Sequence, residues 1–219
     1  YSRGLVANIH YTWAKAIAYN RGDLGFGASN IQDFFNIRAN KGRPEGDVGH
    51  NFIADFVYQI PSPSLGRALK AAIGGWEVSG ILSARTGLPL VINQPNAIGS
   101  QRPDLIDPAN VIVNSGLQYL NRAAFAQVPV SSVSGATIRP GTLGNGAISA
   151  PGLWSVDASF AKALSLRDRF QVRLRADMLN ALNHTNFTGV DTNPQSANFG
   201  RFTGTAGARR VQFGLRMTF

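Results

Sequence analysis

The last eleven residues, 209–219, end the chain in a strict alternation of polar and apolar side chains. Side chains along a β-strand point alternately to its two faces, so this segment predicts a strand with one apolar and one polar face. A half-buried strand of a soluble protein shows the same alternation. A transmembrane β-barrel requires it too, and an aromatic last residue favours the barrel. The apolar residues are Val211, Phe213, Leu215, Met217 and Phe219.

Five earlier segments repeat the alternation: 5–16, 51–60, 75–87, 153–164 and 169–179. Each has about the ten residues that a tilted strand needs to cross a bilayer. The alternation excludes a parallel α/β sheet, whose strands read as continuous apolar runs. No run of eighteen apolar residues occurs, which excludes a transmembrane helix. The predicted fold class is all-β: an antiparallel transmembrane β-barrel of outer-membrane type, here a C-terminal portion with six or more long strands.

The connections between the predicted strands alternate in length. One is a short turn, 165–168, one is of moderate length, 61–74, and three are long, 17–49, 88–152 and 182–208. Compact soluble domains rarely contain structureless loops of more than about fifteen residues. Outer-membrane barrels combine short periplasmic turns with long external loops. If the C-terminus lies in the periplasm, both shorter connections fall on the periplasmic side, so the loop lengths favour the barrel.

Aromatic residues of the apolar parity lie near both ends of the predicted strands. Trp13 and Trp154 lie near external ends, whereas Tyr58, Trp76 and Phe170 lie near periplasmic ends. Barrels carry such aromatic girdles at the two membrane interfaces. Aromatic residues that merely filled a soluble core would not cluster at strand ends.

Seven charged residues share the opposite, polar parity. An Arg that faced lipid would cost about 2–4 kcal/mol at the bilayer midplane, so this common parity predicts a wet lumen. The residues either form cross-strand ion pairs that line the lumen and hold a plug, or border a path for a solute. The predicted lumen-facing residues are Asp55, Glu77, Arg85, Asp157, Arg173, Arg175 and Asp177.

The composition argues against several other classes of protein. The net charge is +9, but the basic residues are spread along the chain without a run, so no nucleic-acid partner is expected. The absence of cysteine excludes disulfides and thiolate zinc sites. His10, His50 and His184 have no second histidine at metal-ligand spacing. The sequence also contains no nucleophile elbow, so we expect no catalytic residues and no enzymatic activity. We likewise expect no bound metal and no cofactor.

Six strands are too few for a closed bacterial barrel, whose usual minimum is eight. Open sheet edges cannot face lipid, because unpaired backbone groups are costly there. Either the long loops contain further strands, with 110–113 as a weak candidate, or the chain is part of a larger barrel. The start at Tyr1, without an initiator Met, favours a part of a larger barrel.

Five short motifs accompany the terminal strand: GGWEVSGI at 74–81, YLNRAAF at 119–125, GLWSVD at 152–157, LNALNHTNF at 179–187 and NFGR at 198–201. Together with that strand they resemble the C-terminal third of TonB-dependent receptors, and in particular the Oar-like proteins of acidobacterial type with a carboxypeptidase-regulatory-like domain. The resemblance covers nearly the whole chain from Leu5 onward. It identifies the barrel family well and the ligand hardly at all.

The resemblance implies an outer-membrane barrel of about twenty-two strands with an N-terminal plug, energised through TonB. The whole chain, 1–219, would then be the C-terminal part of the barrel domain, without the plug. It would supply barrel wall, external loops and, at its end, the assembly signal of a transporter for nutrient uptake. The implied partners are outer-membrane lipid, the barrel-assembly machinery, the TonB complex through the parent protein's plug, and a small nutrient or oligosaccharide. The implied location is the bacterial outer membrane.

Two alternatives remain open. One is a secreted, soluble β-sandwich that binds carbohydrate, in which the apolar faces of the strands meet in a core. That fold leaves the terminal Phe219 unexplained. The other is a small self-contained outer-membrane barrel, a porin or adhesin, with further strands in 88–152.

Overall fold

The structure, a computed structural model, describes residues 4–19, 31–61, 66, 72–94, 101–167 and 170–219. Short 3-10 helices cover Ile37–Asn40, Pro108–Asn110 and Arg122–Ala124. The strands are β1 (Leu5–Trp13), β2 (His50–Gln59), β3 (Trp76–Arg85), β4 (Asp104–Leu105), β5 (Ile112–Ser115), β6 (Gln118–Leu120), β7 (Phe125–Ala126), β8 (Leu153–Arg167), β9 (Phe170–Leu179), β10 (Phe187–Val190), β11 (Phe202–Thr205) and β12 (Arg210–Thr218).

Six long strands form one antiparallel sheet in the order β1-β2-β3-β8-β9-β12. Each strand of this sheet pairs with the long strand before it in the chain, so the sheet is a meander. The sheet is not closed, and β1 and β12 are its edges. The predicted all-β, antiparallel fold is therefore confirmed. No helix among the described residues is long and apolar enough to span a membrane.

The strand registers place the apolar parities of all six long strands on the same face of the sheet. One cross-strand row contains Ala7, Phe56, Gly80 and Ala158. The ring of Phe56 occupies the space that a side chain at Gly80 would need, because a Cβ atom at Gly80 would lie 2.8 Å from Cε1 of that ring. A slip of one residue in any strand would move its polar side chains onto this face. The register therefore sorts the two kinds of side chain between the two faces.

The apolar face of the sheet is exposed. Ile9 has 71% and Phe213 has 80% of its surface accessible, and Leu174, Leu215 and Met217 are exposed as well. No described residue covers this face as a second sheet would. A soluble β-sandwich requires the apolar faces to meet in a core, so this exposure argues against the sandwich alternative.

Some strand ends differ from the sequence-based bounds. β1 ends at Trp13 rather than at residue 16, because the backbone N–H of Ala16 bonds the carboxylate of Asp47 instead of a strand. β8 continues to residue 167 rather than 164, because 165 and 167 pair with 171 and 170 of β9. Residues 165–167 of the predicted turn 165–168 therefore belong to β8, and residue 168 lies outside the described residues.

The three long connections fold together at one end of the sheet into what we call the loop cap, the described parts of 14–49, 86–152 and 180–209. Three short strand pairs lie within it: β4 with β7, β5 with β6, and β10 with β11. The candidate strand 110–113 overlaps β5, but β5 pairs with β6 and adds nothing to the long sheet. The cap contains a conventional buried core: Ile92, Val111, Tyr119, Leu120, Ala124, Leu143, Ile148 and Phe199.

The longest connection returns to the sheet through a short ladder. The backbone N–H of Leu90 donates to the carbonyl of Ile148 at 2.7 Å, and that of Ala150 donates to Leu88 at 2.8 Å. Pro89 and Ser149 form an antiparallel bridge between these bonds. The ladder continues the pairing of β3 with β8 beyond the sheet and into the loop cap.

The facing of the strands can be tested by placing one substitution on each side of β3. We expect Leu82→Arg to abolish barrel assembly, because an Arg that faces lipid costs about 2–4 kcal/mol near the midplane. Ser83→Arg, one residue away on the polar face, should assemble normally. The measurement is the fraction of heat-modifiable protein in the outer membrane. Equal losses from the two variants would contradict the assignment of the faces.

Candidate functional site

The polar face of the sheet brings together the seven charged residues that the sequence marked. Asp55 of β2 and Asp157 of β8 occupy one cross-strand row, on either side of Ile81. The amide of Asn8 donates to Oδ2 of Asp55 at 2.9 Å. Next to this row, Ser83 and Ser155 are joined through their hydroxyl oxygens, 3.1 Å apart. The face therefore combines carboxylates with small hydroxyl side chains.

Two ion pairs lie on this face. Nη2 of Arg173 on β9 is 2.7 Å from Oε1 of Glu77 on β3, so the pair spans the intervening strand β8. Nε of Arg175 is 2.7 Å from Oδ1 of Asp177 within β9. All four side chains are about a third to a half exposed, so water screens the attraction within both pairs. These ion pairs organise the polar face more than they stabilise it.

A cleft of about 500 Å³ opens on the polar face between β2, β3, β8 and β9. Its charged lining consists of Asp55, Asp157, Asp177 and Arg175. Sequence reasoning missed its apolar lining, which interrupts the polar parity of β2, β3 and β9. A surface with carboxylates beside apolar side chains can hold a solute that has both hydrogen-bond donors and an apolar part. The apolar lining residues are Ile53, Val57, Ile81 and Leu179.

A second cleft of about 400 Å³ lies towards the loop cap and shares Asp157 and Leu179 with the first. Of the predicted charged residues, it adds Arg85, while Glu77 and Arg173 line neither cleft. Through the two residues that they share, the clefts form one track, lined by both polar and apolar side chains, from the cap towards the middle of the sheet. Its other polar lining residues are Asn51, Ser83, Ser155, Asn180, Asn186 and Arg210.

Asparagine side chains fix the loop cap to the upper end of this track. The amide of Asn186 bonds both backbone groups of Trp154, accepting from its N–H at 2.9 Å and donating to its carbonyl at 2.7 Å. Asn180, in the left-handed region at φ 49°, exchanges two bonds with the backbone of His184. Oδ1 of Asp157 accepts from the N–H of Asn180 at 2.8 Å. Asp157 therefore borders both clefts and holds the cap.

Comparison with protein families shows which class of protein carries this sheet. The family described as "Outer membrane beta barrel domain" matches residues 1–212. The chain belongs to this family. No curated protein and no solved structure matches the chain. The family indicates a location in the outer membrane of bacteria. In such a barrel the exposed apolar face meets lipid, here called the outward face, and the polar face lines the lumen.

The aromatic residues predicted to form girdles lie on the outward parity of this outer-membrane barrel domain. Trp13 and Trp154 are at the cap end of their strands, while Tyr58, Trp76 and Phe170 are at the opposite end. The ring of His184 stacks on Trp154 with the ring centroids 4.0 Å apart. On the terminal strand, Val211, Phe213, Leu215 and Met217 are exposed on the outward face, and Phe219 follows the strand with 96% of its surface exposed.

Lys162 is an outward-facing charge that sequence reasoning missed. It pairs with Trp76, the first residue of β3, at the end of the sheet that faces away from the cap. Its Nζ donates to the carbonyls of Ala72 and Gly74, both at 2.7 Å, and lies 5.0 Å from the centre of the Trp76 ring. A lysine near an interface costs only about 0–1 kcal/mol, so this position is tolerable in a membrane strand. It was missed because the residues of the same parity on either side of it in β8 are apolar.

The described residues offer no metal site. No three His, Asp or Glu side chains within the described ranges lie close enough together to hold an ion. His50 instead bonds the hydroxyl of Tyr11 through Nδ1 at 2.7 Å.

Two buried carboxylates hold the loop cap. Hydrogen bonds from Arg139, at 2.6 and 2.8 Å, lower the pKa of Asp104 below its usual 3.8 and outweigh the opposing effect of burial. The bond from Arg43, followed by that from the N–H of Ala16, likewise lowers the pKa of Asp47. Each carboxylate stabilises the cap at pH values above 3.8, and this stabilisation is lost as the pH falls through the lowered, folded-state pKa.

Local stability of the cap should therefore fall in acid. The N–H of Thr142 bonds Oδ1 of Asp104 at 3.0 Å, and we expect its protection from hydrogen exchange to decrease as the pH falls below 3.8. Asp104→Asn should remove this pH dependence at Thr142. The N–H of Ala16, which bonds Asp47, serves as the control and should keep its own pH dependence in that variant. A decrease at Thr142 that persists in Asp104→Asn would contradict the assignment.

Proposed function

We propose that this chain forms wall, external loops and assembly signal of a TonB-dependent outer-membrane receptor for nutrient uptake. The observation that supports it best is the lumenal track, two clefts joined at Asp157 that lead inward from the loop cap. A track of this kind gives a solute captured at the cap a polar route along the barrel wall. The role is that of binding and transport, without enzymatic chemistry.

The track also suggests the kind of nutrient. Carboxylates, amides and hydroxyls line it, together with apolar Ile53, Ile81 and Leu179. Such a lining suits a small nutrient or oligosaccharide with hydroxyl groups and apolar ring faces, because each can meet a matching surface. Asp157 is the residue that such a solute would meet in either cleft.

The proposal can be tested in native cells with an antibody against 101–152. We expect a heat-modifiable outer-membrane band much larger than 23.4 kDa, which cross-links to TonB. A heat-modifiable band near the mass of this chain, without the cross-link, would instead support a self-contained porin or adhesin. A large band that never cross-links to TonB would reject energised uptake while leaving the barrel assignment intact.

The proposed assembly signal makes a separate prediction. Phe219→Ser should lower the amount of heat-modifiable barrel in the outer membrane severalfold, because recognition by the assembly machinery would depend on the terminal aromatic side chain. Thr218→Ser, a conservative change of the neighbouring lumenal residue, is the matched control and should assemble normally. Quantitative immunoblots of unheated outer membranes provide the measurement. Unchanged assembly of Phe219→Ser would exclude this role for the terminal residue.

A further inference from the structure

A groove larger than either lumenal cleft lies at the cap end of the sheet, largely on its outward side. This groove, of about 820 Å³, opens at the cap end of β1, β2, β3 and β8. Five of its lining residues, Trp13, His50, Phe52, Ala84 and Trp154, have the outward parity by register. The groove is therefore continuous with the exposed apolar face that meets lipid, and lies at the external membrane interface.

The loop cap supplies the polar wall of this groove and most of its charge. From the cap, Lys15 and Arg43 line the groove together with one carboxylate, Asp47, which leaves one net positive charge, and the lumenal Arg85 of β3 borders the groove. Nε of Arg43 bonds Asp47 at 2.5 Å and Nη1 bonds the hydroxyl of Ser149 at 2.7 Å. With the bond from Nη2 to the carbonyl of Asp47, these contacts use three of the five guanidinium N–H groups. Arg43 is thus held in place and still has N–H groups for an anion.

We propose that this groove binds the phosphorylated head group of a lipid of the outer leaflet. The phosphate would meet Lys15 and Arg43, and the acyl chains would lie on the outward face below Trp13 and Trp154. Tryptophan rings suit this boundary because they are apolar with one polar edge. Basic pockets at a membrane surface bind anionic head groups by the same charge complementarity.

An amphiphile fits this groove better than a soluble nutrient does. A soluble ligand would have no use for the continuous apolar surface that leads from Trp154 to Phe52 and onward to the exposed outward face. The mid-sheet lumenal cleft shares no lining residue with this groove, whereas the cap-side cleft borders it at Ala84, Arg85, Leu153 and Trp154. The inference depends on the outward face meeting lipid and does not depend on transport.

The full-length protein, purified in detergent, can be titrated with diphosphoryl lipid A and with its dephosphorylated form, with binding followed by native mass spectrometry. We expect the phosphorylated form to bind at least tenfold more tightly. Binding of both forms with equal affinity would overturn the proposal. So would displacement of the bound lipid by millimolar inorganic phosphate, because the groove would then be a site for a soluble anion.

A charge reversal locates the site. Lys15→Glu should weaken binding of diphosphoryl lipid A about tenfold or more, because it replaces an attraction by a repulsion next to the phosphate. Lys41→Glu makes the same charge change at an exposed lysine of the same connection that does not line the groove, and should bind like the wild type. Heat-modifiability establishes that both variants are folded. Equal weakening by the two variants would show general surface charge and overturn the proposal.

Discussion

The hydrogen bonding of the backbone in a bilayer, where no water can take part, determines how the long strands are arranged. In a bilayer each N–H and C=O must bond within the protein, so the strands must pair along their whole length. Because side chains alternate between the two faces of a strand, each strand can pair with either set of its side chains towards lipid. The charged side chains of β9 allow only one of these two arrangements. Arg173 and Arg175 would face lipid if β9 slipped by one residue against β8. The lumenal track and the outward aromatic residues both follow from this one constraint.

The sheet and the loop cap are stabilised by different forces. The sheet has an exposed apolar face and depends on backbone bonds and on lipid, whereas the cap has a buried core like that of a soluble domain. Two of the family-like motifs, YLNRAAF and NFGR, meet inside the cap. Phe199 fills the cap core, and Gly200, at φ 79°, allows the backbone to approach Leu120, whose carbonyl would lie 2.4 Å from a Cβ there. These two motifs therefore join distant parts of the cap, whereas GGWEVSGI begins β3 at the opposite end of the sheet.

Sequence reasoning succeeded where structure is local and failed where it depends on distant contacts. Alternation within ten residues is enough to predict each long strand and its two faces. The cap core brings Ile92 and Phe199, which are about half the chain length apart, into one cluster, and no local period in the sequence reports such a contact. The clefts could not be predicted from the sequence for a related reason. Ile53 and Ile81 are apolar residues at positions of the polar parity, and they form a common surface only because β2 and β3 are neighbours in the sheet. Lys162 was hidden by its apolar neighbours.

The ladder between 88–90 and 148–150 bears on how the sheet finds its order. Pairing β3 with β8 directly would require the chain to close a loop of more than sixty residues, with an entropy cost that rises with the logarithm of loop length. Once the cap core forms, Leu88 already lies beside Ala150, and the two strands leave the cap as neighbours. β3 and β8 can then pair as the two strands of a hairpin do, with the folded loop cap in the place of the turn. The cap thereby converts a slow, non-local step of barrel assembly into a local one.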